Sequence, residues 1–208
     1  MRTKWCGLAI VVAVLLPADA SAQRPSIQIE PYVGIFVPLG DLVDEERTGV
    51  RFVASQKEAF ALGGRAALAF GGATGFEANF LYVWSDVDTV SSGTGTGSES
   101  AYTWAADVRL VFTLLPGKVS FHITGGAAIV GHGGDAWQNV VDGDWNVAGV
   151  GGLGAKFALG RLSLRGDADV YAYSAELTVR DPQASQDVKF GSEVQADLVF
   201  SVGLVFSF

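Results

Sequence analysis

The chain has 208 residues, one cysteine, two histidines, 49% hydrophobic residues and a formal net charge of −8 at pH 7. An acidic chain without a basic stripe excludes a nucleic-acid binder, and equally a peripheral protein held on anionic lipid by lysines and arginines. Mean hydropathy is positive, at +0.31, yet no later segment approaches the uninterrupted run of about 20 apolar residues that a membrane helix takes.

The N-terminus is expected to be removed. Arg2 and Lys4 form a positive start, Leu8 to Leu16 an apolar run, and Pro17 breaks it ahead of Ala20-Ser21-Ala22. This is the layout of a cleavable signal peptide, 1–22, with Gln23 opening the mature chain. Cys6 lies upstream of the place a lipoprotein cysteine would take, so no lipid anchor is expected. Without it the mature chain has no disulfide, thiolate metal site or cysteine nucleophile. Loss of Arg2, Lys4 and Asp19 moves the formal charge from −8 to −9, and residues 23–208 suit one domain.

From residue 27 onward apolar and polar residues alternate with period two, as in strands whose side chains point to opposite faces. Strands are expected at 27–38 and 59–70, with Gln28, Glu30 and Arg65 on the polar face. The third, 75–85, sets Phe76, Phe80, Tyr82 and Trp84 against Glu77, Asn79 and Ser85. The fourth, 101–114, sets Tyr102, Trp104, Val108, Leu110, Phe112 and Leu114 against Thr103, Asp107, Arg109 and Thr113. The fifth, 119–130, and sixth, 145–158, carry His122 and Lys156 on the polar face. The seventh, 162–174, sets Leu162, Leu164, Ala168 and Val170 against Ser163, Arg165, Asp167, Asp169, Tyr171 and Tyr173. The last strand is the clearest. Val194, Ala196, Leu198, Phe200, Val202, Leu204, Phe206 and Phe208 share one face; Gln195, Asp197, Ser201, Gly203 and Ser207 share the other with Val199 and Val205.

The connections alternate too. Gly71–Thr74, Leu115–Lys118 and Leu159–Arg161 are short turns; 40–58, 86–100, 131–144 and 175–189 are long and polar. Aromatic residues gather at both strand ends on the apolar face: Tyr82, Trp84, Tyr102, Trp104 and Trp145 near the long connections, Phe70, Phe76, Phe112, Phe121, Phe157, Phe206 and Phe208 near the short turns. About ten residues separate the two girdles, which at ~3.3 Å per residue and ~40° of tilt gives roughly 25 Å, the height of a membrane barrel's apolar band. The expectation is an all-β fold: an eight-stranded antiparallel up-and-down transmembrane β-barrel with short turns in the periplasm. A soluble eight-stranded barrel inverts the pattern, placing apolar residues inside, and this outer belt would be an aggregating patch in water.

On these residues the chain resembles the small outer-membrane barrels of the OmpA and OmpX type from Gln23 to the end. Terminal Phe208, with Phe206, Leu204, Val202 and Phe200 at alternate positions, is similar to the C-terminal assembly signal of that group. The resemblance implies recognition by the barrel-assembly machinery. The run Gly152-Leu153-Gly154-Ala155-Lys156-Phe157 and then Leu162-Ser163-Leu164-Arg165 is similar to its sixth and seventh strands. A periplasmic peptidoglycan-binding domain, found on the larger members of that group, is not expected after the barrel, so cell-wall anchoring is not implied.

The functional candidates are the inward ions: Glu30, Glu77, Asp107, Asp167, Asp169 and Asp197 with Arg65, Arg109, Lys156 and Arg165. Ions in a narrow interior must pair or keep water, and eight strands leave a bore that side chains just fill. A polar plug is the expectation, with Ala61, Gly63, Ala105, Gly126, Ala128, Gly152 and Gly154 making room for the longer chains. A gated ion path is the alternative. Acid–base catalysis is disfavoured, because no spacing singles out one acid. His122 lies at the periplasmic end of its strand and His132 in the third long connection, neither spaced with a serine as a nucleophile pair requires. Gly93–Ser98 lacks the lysine and helix of a phosphate loop. The acids Asp41, Asp44, Glu45, Glu46, Asp86 and Asp88 match no calcium-loop spacing and are expected to be solvated. No cofactor, metal or catalytic residue is expected. The expected partners are outer-membrane lipid and lipopolysaccharide and a ligand on the long connections; a lipid-modifying enzyme is the least favoured reading.

Overall fold

The computed structural model describes residues 25–208 except 48–49, 71–72, 92–94, 139, 143, 176–177, 182–185 and 190–192. The proposed signal peptide and its cleavage site lie outside the described residues.

Eight long strands form the wall. They are β1 (Ser26–Pro38), β4 (Ala59–Phe70), β5 (Thr74–Ser91), β6 (Gly95–Leu115), β7 (Val119–Gly133), β9 (Trp145–Leu159), β10 (Leu162–Ala175) and β13 (Glu193–Ser207). Each pairs antiparallel with its neighbours in the cycle β1–β4–β5–β6–β7–β9–β10–β13, and β13 returns to β1 through pairs such as Ile29 with Phe206 and Gly34 with Ser201. The sheet is a closed eight-stranded barrel. Phe208 N–H donates to the Ile27 carbonyl at 2.9 Å and Ile27 N–H to the Phe208 carbonyl at 3.3 Å, so the last residue completes the seam. Closure leaves no unpaired edge in the wall, the condition under which backbone can cross hydrocarbon. Among the described residues no helix is long and apolar enough to cross a membrane.

The alternation sorts the side chains as the period requires. Ile29, Val33, Ile35, Phe60, Phe76, Val108, Phe112, Leu153, Phe200 and Val202 are exposed on the outer surface, while Glu30, Arg65, Glu77, Asp107, Arg109, Asp167 and Asp169 are buried within. The outer aromatics contact one another, with Phe70 edge-on to Phe76 and Tyr82 stacked on Tyr102 at 5.6 Å between centroids. Gly160 closes the β9–β10 turn at φ +83°, a left-handed backbone that glycine adopts without a Cβ clash.

The long connections differ from the loops expected. Much of their length is strand: β2 (Val43–Arg47) and β3 (Val50–Gln56) form a hairpin laid on β5, and β8 (Val140–Asp142), β11 (Thr178–Asp181) and β12 (Gln186–Lys189) form a second small sheet. A 3-10 turn, Asp135–Trp137, precedes β8. Strands β5 and β6 stay paired out to Ser91 with Gly95, well past the expected ends at 85 and 101. Val, Thr and Ser keep the backbone extended there, and Leu42, Ala54, Val87 and Ala101 pack together beneath Ala136, Trp137 and Val140. Gly95–Ser98, expected within the connection 86–100, belongs to β6.

Candidate functional site

Taken from the short-turn end, the inward faces pass through four zones: a vestibule, an ionic layer, an apolar layer and a polar mouth. β5 shows the last three in order, with Glu77 and Asn79, then Leu81 and Val83, then Ser85.

The ionic layer is one connected network. Arg65 reaches Glu30 at 2.7 Å, Asp167 at 3.2 Å and Asp169 at 3.1 Å, and donates to the Ser201 hydroxyl at 2.8 Å. Its guanidinium also lies over the Tyr32 ring, 4.2 Å from the centroid. Arg109 contacts Asp107 and Asp169, each at 2.7 Å, and Glu77 at 3.7 Å. Arg165 grips Asp167 through two nitrogens, each at 2.9 Å, and reaches Glu77 at 2.5 Å and Glu30 at 3.3 Å. His122 Nε2 lies 2.7 Å from Asp167. Tyr171 and Asn79 both donate to Asp107, at 2.8 and 2.7 Å, and the Tyr32 hydroxyl donates to Asn79 at 2.8 Å. Each guanidinium therefore bridges several strands, and bidentate charge-assisted bonds set the geometry. Removing one partner would strand a buried charge, which typically costs 3–5 kcal/mol.

Glycines make the network fit. A Cβ on Gly152 would stand 2.0 Å from Asp169 Oδ1, one on Gly154 2.4 Å from Asp167 Oδ1, and one on Gly203 2.4 Å from Glu30 Oε1.

Two of the expected ions stand apart. Lys156 is half-buried in the vestibule wall. Asp197 belongs to the mouth, where it accepts from the Tyr173 hydroxyl at 2.9 Å. That hydroxyl lies 3.3 Å from His132 Nε2, and the His132 ring stacks on Trp137 at 4.6 Å. His132 is thus the buried end of β7 and not a residue of the connection, because β7 runs three residues past its expected limit, to Gly133.

The bore is also not polar throughout. Phe36, Leu81, Val83, Val130, Val150 and Val199, with Ala61, Ala105 and Ala128, pack into a cluster across it. Apolar residues on an inward parity carried no separate signal in the alternation, although Leu81 and Val83 stand openly between Asn79 and Ser85. Tyr32 and Gln56 likewise carry no signal in the alternation. Gln56 donates to the Ser85 and Thr103 hydroxyls, both at 2.7 Å, and ties the β2–β3 hairpin into the mouth. Among the described residues no three His, Cys, Asp or Glu side chains are grouped to hold a metal.

A closed bore walled by an apolar belt is what decides the class. The fold is that of a small outer-membrane β-barrel. Among solved structures the chain is similar to Neisserial surface protein A, with a TM-score of 0.55 and 8% identity over 88% of this chain and 97% of that one. It is also similar to the outer membrane protein AlkL in DMPC lipid bilayers, with a TM-score of 0.58 and 12% identity over 93% and 95%. At such identities the likeness concerns the fold. No family model matches the chain, and no curated sequence does.

Proposed function

We propose that this protein is a non-enzymatic barrel of the outer membrane, exported through its signal peptide and inserted by the barrel-assembly machinery. It stabilises the membrane and presents its long connections, outside the cell, to a ligand or partner. Its surroundings are outer-membrane lipid and lipopolysaccharide. The observation that carries the reading is the double closure of the bore, by the Arg65–Arg109–Arg165 network and then by the Leu81–Val83–Val130 layer. A solute path would have to cross both. The ordered hairpins above the wall supply a surface to present.

Recording in planar bilayers tests this directly. No steady unitary current is expected, and Arg109→Ala alone should not produce one, because the apolar layer remains. Stable openings of the parent protein that disappear in Arg109→Ala would replace this reading with the narrow pore. A changed lipid profile in cells lacking the protein, reproduced by His132→Ala, would replace it with an enzyme.

A further inference from the structure

At the short-turn end the bore opens into a cavity of about 310 Å³, lined by Gln28, Ser120, His122, Lys156, Arg165 and the Arg165-paired Glu77 among others. It is a blind pocket, because the ionic and apolar layers stand behind it. Lys156 and Arg165 are register partners on β9 and β10, so two inward cations sit side by side. Like charges directly opposite each other on a sheet are destabilising. Arg165 is held by Glu30, Glu77 and Asp167. Lys156, in contrast, makes no ion pair or side-chain hydrogen bond among the described residues.

The network's carboxylates outnumber its guanidiniums, yet Glu30, Glu77, Asp107, Asp167 and Asp169 are each in ion-pair contact with one. The charge left without a contact partner is the lysine's. It faces an open cavity beside hydroxyl and amide groups: Ser120, its own register partner on β7, whose hydroxyl donates to the Lys156 carbonyl at 3.4 Å; Thr113 on β6, the register partner of His122 on β7; and Gln28 from β1.

We propose that this vestibule is a binding site for a small oxyanion, a phosphate group above all, with Lys156 as its charged ligand. The ammonium supplies up to three N–H donors and the surrounding hydroxyls add more. An anion in front of Lys156 would also offset its repulsion with Arg165. The cavity has room for inorganic phosphate or for the phosphate of a lipid headgroup at the rim. The site does not depend on what the long connections bind. Only its compartment, the periplasm, rests on the orientation proposed above.

The test uses the protein purified from expressing cells and placed in nanodiscs of digalactosyldiacylglycerol, a lipid without phosphate. Amide signals of Ser120, His122, Lys156 and Arg165 are followed by NMR as inorganic phosphate is added, against sodium chloride of equal ionic strength. Saturable shifts with phosphate and none with chloride are expected. Discs containing phosphatidylglycerol, without added phosphate, separate the sources: the same shifts there identify a headgroup, and their absence identifies the free ion. Losing a charged hydrogen bond should weaken phosphate binding roughly tenfold or more in Lys156→Gln. Lys156→Arg should retain it, and Lys57→Gln, at the far end, should change nothing. The remainder of each spectrum reports folding, and Ser120→Ala, with a smaller loss expected, substitutes should Lys156→Gln fail to fold. Equal responses to phosphate and chloride, no response in either disc, or undiminished binding by the folded Lys156→Gln protein would overturn the proposal.

Discussion

Gly125 and Gly126 are neighbours on β7 with opposite needs. A Cβ on inward Gly126 would stand 2.1 Å from the Val108 carbonyl oxygen and 2.7 Å from Arg109 Cα, both backbone, whereas one on outward Gly125 would meet nothing within 4 Å. Gly126→Ala should therefore destabilise the barrel by about 1–3 kcal/mol through overpacking. Gly125→Ala should be neutral or slightly stabilising, since glycine in a strand costs roughly 0.5–1 kcal/mol relative to alanine. Urea unfolding midpoints of the two variants in the same lipid provide the comparison, and equal midpoints would contradict the geometry. Arg109 presents a different case, that of charge. Arg109→Met removes a guanidinium that contacts Asp107 and Asp169 at 2.7 Å each, leaving Asp107 with no cation among the described residues and Asp169 with Arg65 alone. A loss of about 3–5 kcal/mol is expected, read as a lower temperature at which the folded band disappears on an unheated gel. An unchanged temperature would mean that water, not Arg109, satisfies those carboxylates.

Among the elements, the paired extension of β5 and β6 carries a contact that responds to pH. Lys57 Nζ sits 2.9 Å from Asp88 Oδ1, both exposed. The hydrogen bonds from Lys57 and then Ser98 hold the Asp88 carboxyl below its usual range, and the bond to Asp88 pushes the Lys57 ammonium above its own. A depressed carboxyl contributes stability above its unfolded pKa and loses it as pH falls through the lowered folded value. A raised ammonium contributes below its unfolded pKa and loses it as pH rises through the raised folded value. The contact should accordingly persist across neutral pH and fail only in strong acid or strong base. NMR titration of the Asp88 carboxyl should give a midpoint below the ordinary aspartate value; a midpoint at or above that value would refute the pairing. Because both groups face solvent, barrel unfolding should hardly register the change. The strand extension itself was poorly legible in the sequence. Outside the apolar band both faces meet water or small packing groups, so the contrast that marks a strand fades while the hydrogen-bonded ladder continues.

Across the whole molecule, closure is the cooperative event, and Phe208 takes part in it twice. Its outward ring belongs to the apolar alternation, and its backbone exchanges two hydrogen bonds with Ile27 at the β1–β13 seam. Deleting Phe208 should lower the amount of folded protein in the outer membrane several-fold, measured by blotting unheated samples; parental levels would rule out the terminal residue as part of the assembly signal.

The sequence by itself determined the class of fold: eight amphipathic segments, their short–long connections and a charge-free outer face leave one arrangement in which apolar side chains meet lipid and backbone polar groups are all paired. It also named the ions of the bore, because parity alone assigns a residue to the inside. Only the tertiary structure decided which ions meet. Arg65 on β4 finds Asp169 on β10, more than a hundred residues away, through the stagger of the closed sheet, and no local pattern records that stagger. The same stagger separates Asp197 from the network, leaves Lys156 facing an open vestibule and brings Leu81, Val130 and Val199 together as a second seal. Period two records the side of the wall a residue faces; its height along the bore, and hence its neighbours, comes from closing the ring.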